Sequence, residues 1–235
     1  MKNRILFFDI ETTPNKGYCW GSWKQNIIKF EEEYNLLCFA YKWDGGRTKV
    51  IGLDDFNWNN LKLVKELRNL LDECEICCGH NVDRFDIRMA NTFFLKYGLT
   101  PPSPYKTIDT LKIARRRFRF NSNRLNDLGL FLGVGKKKDT GGFDLWTDCM
   151  KKDKKAWKKM KAYNKNDVVL LEKVYLKLRP WMTGYFNINI EKGLLCKVCG
   201  SSDLQKRGHS ITIKGLFQRY QCKKCGHWTQ EKISK

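Results

Sequence analysis

The sequence predicts an α/β fold, a mixed β-sheet flanked by helices, with a small separate module at the C-terminal end. Three observations predict it. Ile5 to Phe8 is a continuous apolar run that ends at Asp9 and Glu11, the pattern of a strand buried on both faces that delivers polar residues at its tip. Strand-like runs and helical periodicities then succeed one another as far as Leu178, and beyond Leu195 the composition shifts to paired cysteines. With 235 residues the chain accommodates one such core and an appendage, since a domain takes about 100 to 200 residues.

Each element has its own signal. Leu36 to Trp43 and Thr48 to Leu53 are strand-like and joined through Asp44-Gly45-Gly46, so they are expected to pair antiparallel as a hairpin. Leu61, Val64, Leu67 and Leu71 recur at helical spacing between Asn57 and Glu73, after which Glu75 to Gly79 returns as a strand. Asn81 to Tyr97 reads as an amphipathic helix stopped by Gly98 and by Pro101, Pro102 and Pro104. Thr107 to Ala114 is a further strand or the start of a helix, Ser122 to Leu132 a short helix, and Gly133 to Gly142 a loop rich in glycine and lysine. A long helix over Asp153 to Leu178 ends at Pro180. The expected organisation is therefore a main domain over 1–180, a connector over 181–194 and a cysteine module over 195–235, without internal repeats.

Charge points to the partner. Lys and Arg number 45 against 25 Asp and Glu, and the resulting net charge of +20 draws a polyanion, so nucleic acid is the expected ligand. Asp9 and Glu11 interrupt the short apolar run at the N-terminus before a secretory signal core forms, and no stretch reaches the roughly 20 apolar residues that span a bilayer. No membrane association is expected, and in a reducing compartment the ten cysteines read as thiols or metal ligands.

Acids carry the chemistry. Residues two apart on a strand point to the same face, so Asp9 and Glu11 project together while Ile10 faces the core. Like charges side by side repel, and a divalent cation bound between them relieves the repulsion. In Gly79-His80-Asn81-Val82-Asp83-Arg84-Phe85-Asp86, Asn81 is expected to cap a helix, Asp86 to sit a turn inside it and Phe85 to anchor it in the core. Tyr163 and Asp167, four apart, share one face of the long helix with Met160, Leu171 and Val174 near it, so that face packs on the sheet. A buried Asp167 then needs a metal or a cationic partner. Asp109 is expected to cap the helix that follows it, and His80 to support the site or fill the core, because hard Mg²⁺ prefers oxygen.

Asp9-Ile-Glu11, Asn81-x-x-Phe85-Asp86 and Tyr163-x-x-x-Asp167 together resemble, in order and setting, the three motifs of the DEDD exonucleases of the ribonuclease H-like (DnaQ-like) superfamily, over Ile5 to Arg179. The tyrosine (DEDDy) variant is indicated, because Ala162 stands where the histidine variant has its histidine. The stretches from Asp9 to Trp20 and from Ser103 to Ala114, together with the cysteine-rich tail, are similar to predicted bacteriophage exonucleases. The resemblance implies hydrolysis from 3′ ends of single-stranded nucleic acid, DNA favoured over RNA, by two Mg²⁺ or Mn²⁺ ions about 3.5 to 4 Å apart. It further implies that Asp9 bridges both ions, Glu11 and Asp167 complete the site that activates water, Asp86 supports the other ion, and Tyr163 orients the nucleophile. A DNA polymerase or replication protein is the implied protein partner, and the cytoplasm, of a host cell for a phage protein, the implied location. Rival readings are an inert nucleic-acid-binding or polymerase-associated protein and a transposon-type endonuclease. All four acids and the tyrosine are present, against the first, and the Tyr-x-x-x-Asp spacing argues against the second.

Cys196-x-x-Cys199 and Cys222-x-x-Cys225, separated by 22 residues and each followed by glycine, have the spacing of a Zn²⁺ site built from two knuckles. Four thiolates close the coordination shell, so the zinc is expected to be structural. The module resembles zinc ribbons of insertion-element transposases, notably in Gln218-Arg219-Tyr220-Gln221-Cys222. Lys206, Arg207, Arg219, Lys223 and Lys224 interleave there with Phe217, Tyr220 and Trp228, a mixture suited to phosphates and bases, with Tyr220 assigned first to the module's own core. Lys158 and Lys161, in the basic stretch leading to Tyr163, are further candidate contacts.

Overall fold

The computed structural model describes residues 5–182, 194–213 and 215–233. The chain divides into two compact units, Met1–Val174 and Tyr175–Lys235.

In the first unit, β1 (Ile5–Thr12) lies at the centre of a five-stranded mixed sheet. The apolar run at its start is continuous because both faces are covered: Ile5, Leu6, Phe7, Phe8 and Ile10 are all buried. A two-stranded hairpin, β2 (Lys16–Tyr18) and β3 (Lys29–Glu32), follows and was not among the expected elements. β4 (Leu36–Trp43) then pairs antiparallel with β1, and β5 (Lys49–Gly52) pairs antiparallel with β4, which is the expected hairpin. A 3₁₀ turn and α1 (Asn60–Asp72) lead to β6 (Ile76–Gly79), parallel to β1. Asn59 starts α1 by accepting a hydrogen bond from Lys62 N, and Leu63, Val64, Leu67, Leu70 and Leu71 form its buried stripe. After α2 (Asp86–Lys96), β7 (Lys106–Asp109) adds parallel to β6 and gives the order β5-β4-β1-β6-β7. The remaining elements are α3 (Thr110–Arg117), α4 (Leu125–Phe131), α5 (Asp144–Met150) and α6 (Lys154–Leu178).

Three local expectations, all on the segment from Asn81 to Asp86, need correction. The helix expected from Asn81 begins only at Asp86, so Asp86 is its first residue rather than one a turn inside. Asn81 does not cap it. Its backbone takes a positive φ of 70°, its N–H donates to Asp109 Oδ1 at 3.0 Å, and its carbonyl closes a turn with Phe85 N. Phe85 is 42% exposed, and Val82, fully buried, anchors this turn instead. The segment Thr107 to Ala114 is strand and then helix, because the Asp109 side chain accepts from Leu111 N and Lys112 N and so starts α3. Finally, α5 arises in a stretch to which no helix was assigned.

Gly79 ends β6 where the chain must turn sharply, and a Cβ there would lie 2.6 Å from Val82 Cβ. Gly79→Ala is therefore expected to cost about 1–3 kcal/mol through overpacking, read as a lower urea midpoint.

In the second unit, β8 (Leu204–Thr212), β9 (Gly215–Cys222) and β10 (Trp228–Lys232) form an antiparallel sheet of order β10-β9-β8. Tyr220 is buried, as assigned. Of the expected connector, residues 183–193 lie outside the described residues. Among the described residues, no helix is long and apolar enough to cross a membrane.

Candidate active site

The parallel strands β1, β6 and β7 bring their C-terminal ends to one edge of the sheet, the edge where ligands bind in open α/β sheets. Asp9 and Glu11 occupy the end of β1, and α6 brings Asp167 to them. A carboxylate oxygen from each of Asp9, Glu11 and Asp167 lies within 4.8 Å of the other two. Asp167 is fully buried at the side chain, and its Oδ1 has no hydrogen-bond partner among the described residues. Burial and the charge of Asp167 push the Asp9 carboxyl up to about 7. Burial, then the charge of Asp9, likewise raises Glu11 well above the usual carboxylate range.

Asp86 stands beside this group and not within it. Its Oδ1 accepts from Ile10 N at 3.1 Å, so the start of α2 is tied to the backbone between Asp9 and Glu11. Its carboxyl is raised by burial first and by Asp9 second. Tyr163, one turn before Asp167, packs edge-on to Trp146 of α5 with ring centroids 6.2 Å apart. Asp109 is held by its helix and by Asn81 N, and the His80 ring lies between Thr110 Oγ1 and Asn123 O, each at 2.9 Å.

Three participants escaped the sequence. Asn164, buried beside Tyr163, donates from Nδ2 to Asp9 Oδ2 at 2.7 Å and to Asp9 O at 3.3 Å, holding that carboxylate in place. A polar residue on the apolar face of a long helix was the available signal. Lys137, from the loop before α5, places Nζ 2.5 Å from Asp167 Oδ2 and 3.2 Å from the Tyr163 hydroxyl. Burial alone would lower its pKa, but Asp167 outweighs that effect and keeps the ammonium charged. Nothing in Lys136-Lys137-Lys138 separates the middle lysine from its neighbours, and Trp146 lay on the helix that was not expected.

The donor set suits a hard divalent cation: three carboxylates, oxygen only, mutually repelling, with one buried oxygen left unsatisfied. Lys137 offsets part of that negative charge. Lys137→Met should therefore destabilise the cation-free chain by about 1–3 kcal/mol, less than for a fully buried pair because the lysine is 32% exposed. Urea titration with and without Mn²⁺ checks this, the ion recovering most of the loss.

In the second unit, Cys196, Cys199, Cys222 and Cys225 bring their sulfurs within 4.8 Å of one another, with Cys196 to Cys225 and Cys199 to Cys222 both at 3.6 Å. Tetrahedral zinc with sulfur at about 2.3 Å sets sulfurs about 3.8 Å apart, so the cluster fits that ion. Gly200 and Gly226 take φ values of 71° and 76°, and their N–H groups donate to Cys196 O and Cys222 O, closing the two knuckles.

The candidate nucleic-acid contacts fall in both units. Lys206, Arg207, Arg219, Lys223 and Lys224 are exposed, and the Arg219 guanidinium lies 5.8 Å from the centre of the Trp228 ring. Lys158 lines a cavity of about 620 Å³ with Trp58, Trp157, Lys152 and Lys154. Lys161 is engaged by Asp54 and Asp55 at 2.7 and 2.8 Å.

Sequence and fold comparisons agree with this architecture. The family described as the RNase H superfamily matches residues 6–179, and the chain belongs to that superfamily. The protein NEN3 of Arabidopsis thaliana is 36% identical over 62 residues, which make up 26% of this chain and 12% of that protein. The family B DNA polymerase of the hyperthermophilic archaeon Pyrobaculum calidifontis superposes on 76% of this chain and 25% of its own length, with a TM-score of 0.58 and 16% identity, a likeness of fold. The chain thus spans only a small part of either relative.

Proposed function

We propose that this protein is a metal-dependent 3′–5′ exonuclease of the DEDDy type that shortens single-stranded DNA. Membership of the RNase H superfamily supports nuclease activity. The observation that carries the finer reading is the meeting of Asp9, Glu11 and Asp167, with Tyr163 one helical turn from Asp167. Bound Mg²⁺ or Mn²⁺ supplies charge neutralisation at the scissile phosphate and a hydroxide nucleophile at neutral pH. Asp9, Glu11 and Asp167, with Asp86 beside them, would hold the ions. Asn164 keeps the Asp9 carboxylate aimed, the Tyr163 hydroxyl orients the attacking water, and Lys137 balances part of the charge of Asp167 beside them.

The same reading assigns catalysis to residues 1–180 and a structural zinc ribbon to 195–235, joined through 181–194. Lys206, Arg207, Arg219, Lys223 and Lys224 in the second unit, and Lys158 and Lys161 on α6 of the first, then contact phosphates. A protein of the cytoplasm acting beside a polymerase or replication protein fits this substrate.

End-labelled DNA tests the polarity. A 5′-labelled single strand with Mn²⁺ should give a ladder descending one nucleotide at a time, and a 3′-labelled strand should release labelled mononucleotide at once. Internal cuts appearing first would assign an endonuclease instead, and RNA shortened faster than DNA would reverse the substrate preference.

A further inference from the structure

The hairpin of β2 and β3 leaves the sheet directly after the acids of β1 and returns at β4. Its base is pinned there: Thr13 N donates to Asn35 O, Asn35 N to Thr13 Oγ1, and Tyr34 N to Asn15 Oδ1, each at 2.8 Å. The two strands sit tightly together, since a Cβ on Gly17 would come within 2.7 Å of Lys29 O. Beyond that base the hairpin exposes aromatic rings together with Ile27 and Ile28. Trp20 is 91% and Trp23 77% exposed, with Tyr18 at 59% and Phe30 at 47%. Aromatic rings turned to water in such number mark a contact surface, because each forgoes the gain from burial.

The charge of the segment narrows the partner. From Thr12 to Phe30 the chain contains no Asp or Glu and carries Lys16, Lys24 and Lys29; Glu31 and Glu32 close β3, where Lys16 Nζ lies 3.1 Å from Glu31, so Lys24 and Lys29 are the cations left to meet phosphates. Trp20 and Trp23, the most exposed of these rings, have Lys24 beside them and no acid in the chain between Glu11 and Glu31, which complements a strand of bases and phosphates. The position agrees, for β1 carries Asp9 and Glu11 at its end and the chain enters the hairpin at Lys16, a few residues beyond them.

We propose that the β2–β3 hairpin is a stacking platform for single-stranded nucleic acid, on which Trp20 and Trp23 hold unpaired bases next to the nucleotide presented to the carboxylates. The inference rests on the nuclease reading of that cluster and adds to it the feature that selects single strands: a duplex offers no free base faces to these rings. Double-stranded DNA therefore engages only through a frayed end.

The test uses the full chain and Trp20→Ala/Trp23→Ala, whose exposed side chains can be removed without disturbing the core. Binding of fluorescein-labelled oligodeoxythymidylate is followed by anisotropy in Ca²⁺, beside an abasic oligonucleotide of equal length. The wild type should prefer the strand with bases, and the double variant should lose about tenfold in affinity for each ring, falling to the abasic level. Unchanged affinity, or an equal loss for both oligonucleotides, would overturn the platform. So would a dimer of the wild type that the substitutions dissolve while oligonucleotide affinity stays the same, which would make the surface an interface between copies. Hydrolysis of thymidine 5′-(p-nitrophenyl phosphate) with Mn²⁺ judges the cluster separately, because this ester offers no neighbouring base. A wild type inert towards both ester and oligonucleotide would sink the nuclease reading, and the anisotropy comparison still decides the platform. A variant losing ester turnover as steeply as oligonucleotide affinity would overturn it, since the damage would then lie in the cluster.

Discussion

Asp9→Ala is expected to slow phosphodiester hydrolysis at least about a thousandfold, equivalent to roughly 4 kcal/mol of lost transition-state stabilisation. Asp9 shares the cluster with Glu11 and Asp167, and Asn164 fixes its orientation, so on the proposed reading its loss removes a ligand that no neighbouring side chain would replace. Single-turnover shortening of a 5′-labelled strand with Mn²⁺ measures the effect. Affinity for the strand in Ca²⁺ should fall by no more than a few fold, since removing an acid near a phosphate offsets part of the lost ion contact. The variant should also fold at least as well as the wild type without divalent ions, because three mutually repelling carboxylates become two. Wild-type laddering by Asp9→Ala would remove this site from the reaction. Asn164→Ala should fall between the two, since the acid remains but loses its hydrogen bond.

The other large effect concerns the cysteine cluster. Cys196→Ser or Cys222→Ser is expected to unfold the second unit, whose three short strands enclose few buried residues besides Tyr220, Cys196 and Cys222. In so small a unit a bound metal would supply the folding energy, as zinc contributes on the order of 10 to 16 kcal/mol in isolated fingers. Metal analysis should find one zinc per wild-type chain and none in the variants. Limited proteolysis should then cut beyond Leu194 in the variants while residues 5–174 resist. A zinc-free wild type with the same resistance would show that the sheet stands by its own packing.

The central strand was legible because two-sided burial requires an unbroken apolar run, and the β4–β5 hairpin because Asp44-Gly45-Gly46 permits a tight reversal. The helix after β6 was misplaced for a physical reason. Asp109, 28 residues downstream, takes the Asn81 N–H and leaves that residue in a left-handed turn, a nonlocal competition that no local periodicity reveals. The exposed hairpin escaped because its rings do not alternate with polar residues as those of a half-buried strand do.

What the sequence by itself determined is local: two acids on one face of a strand end, a phenol and an acid one helical turn apart, and two cysteine pairs with knuckle glycines. Each follows from the repeat of its own secondary structure, which places near neighbours without reference to the rest of the chain. Only the tertiary structure decided that Lys137 meets Asp167 across 30 residues, that Asn164 holds Asp9 across 155, and that Asp86 reaches the backbone of Ile10 across 76. Those contacts depend on sheet order and on the packing of α2 and α6, and both are settled by burying the apolar faces of the whole unit at once.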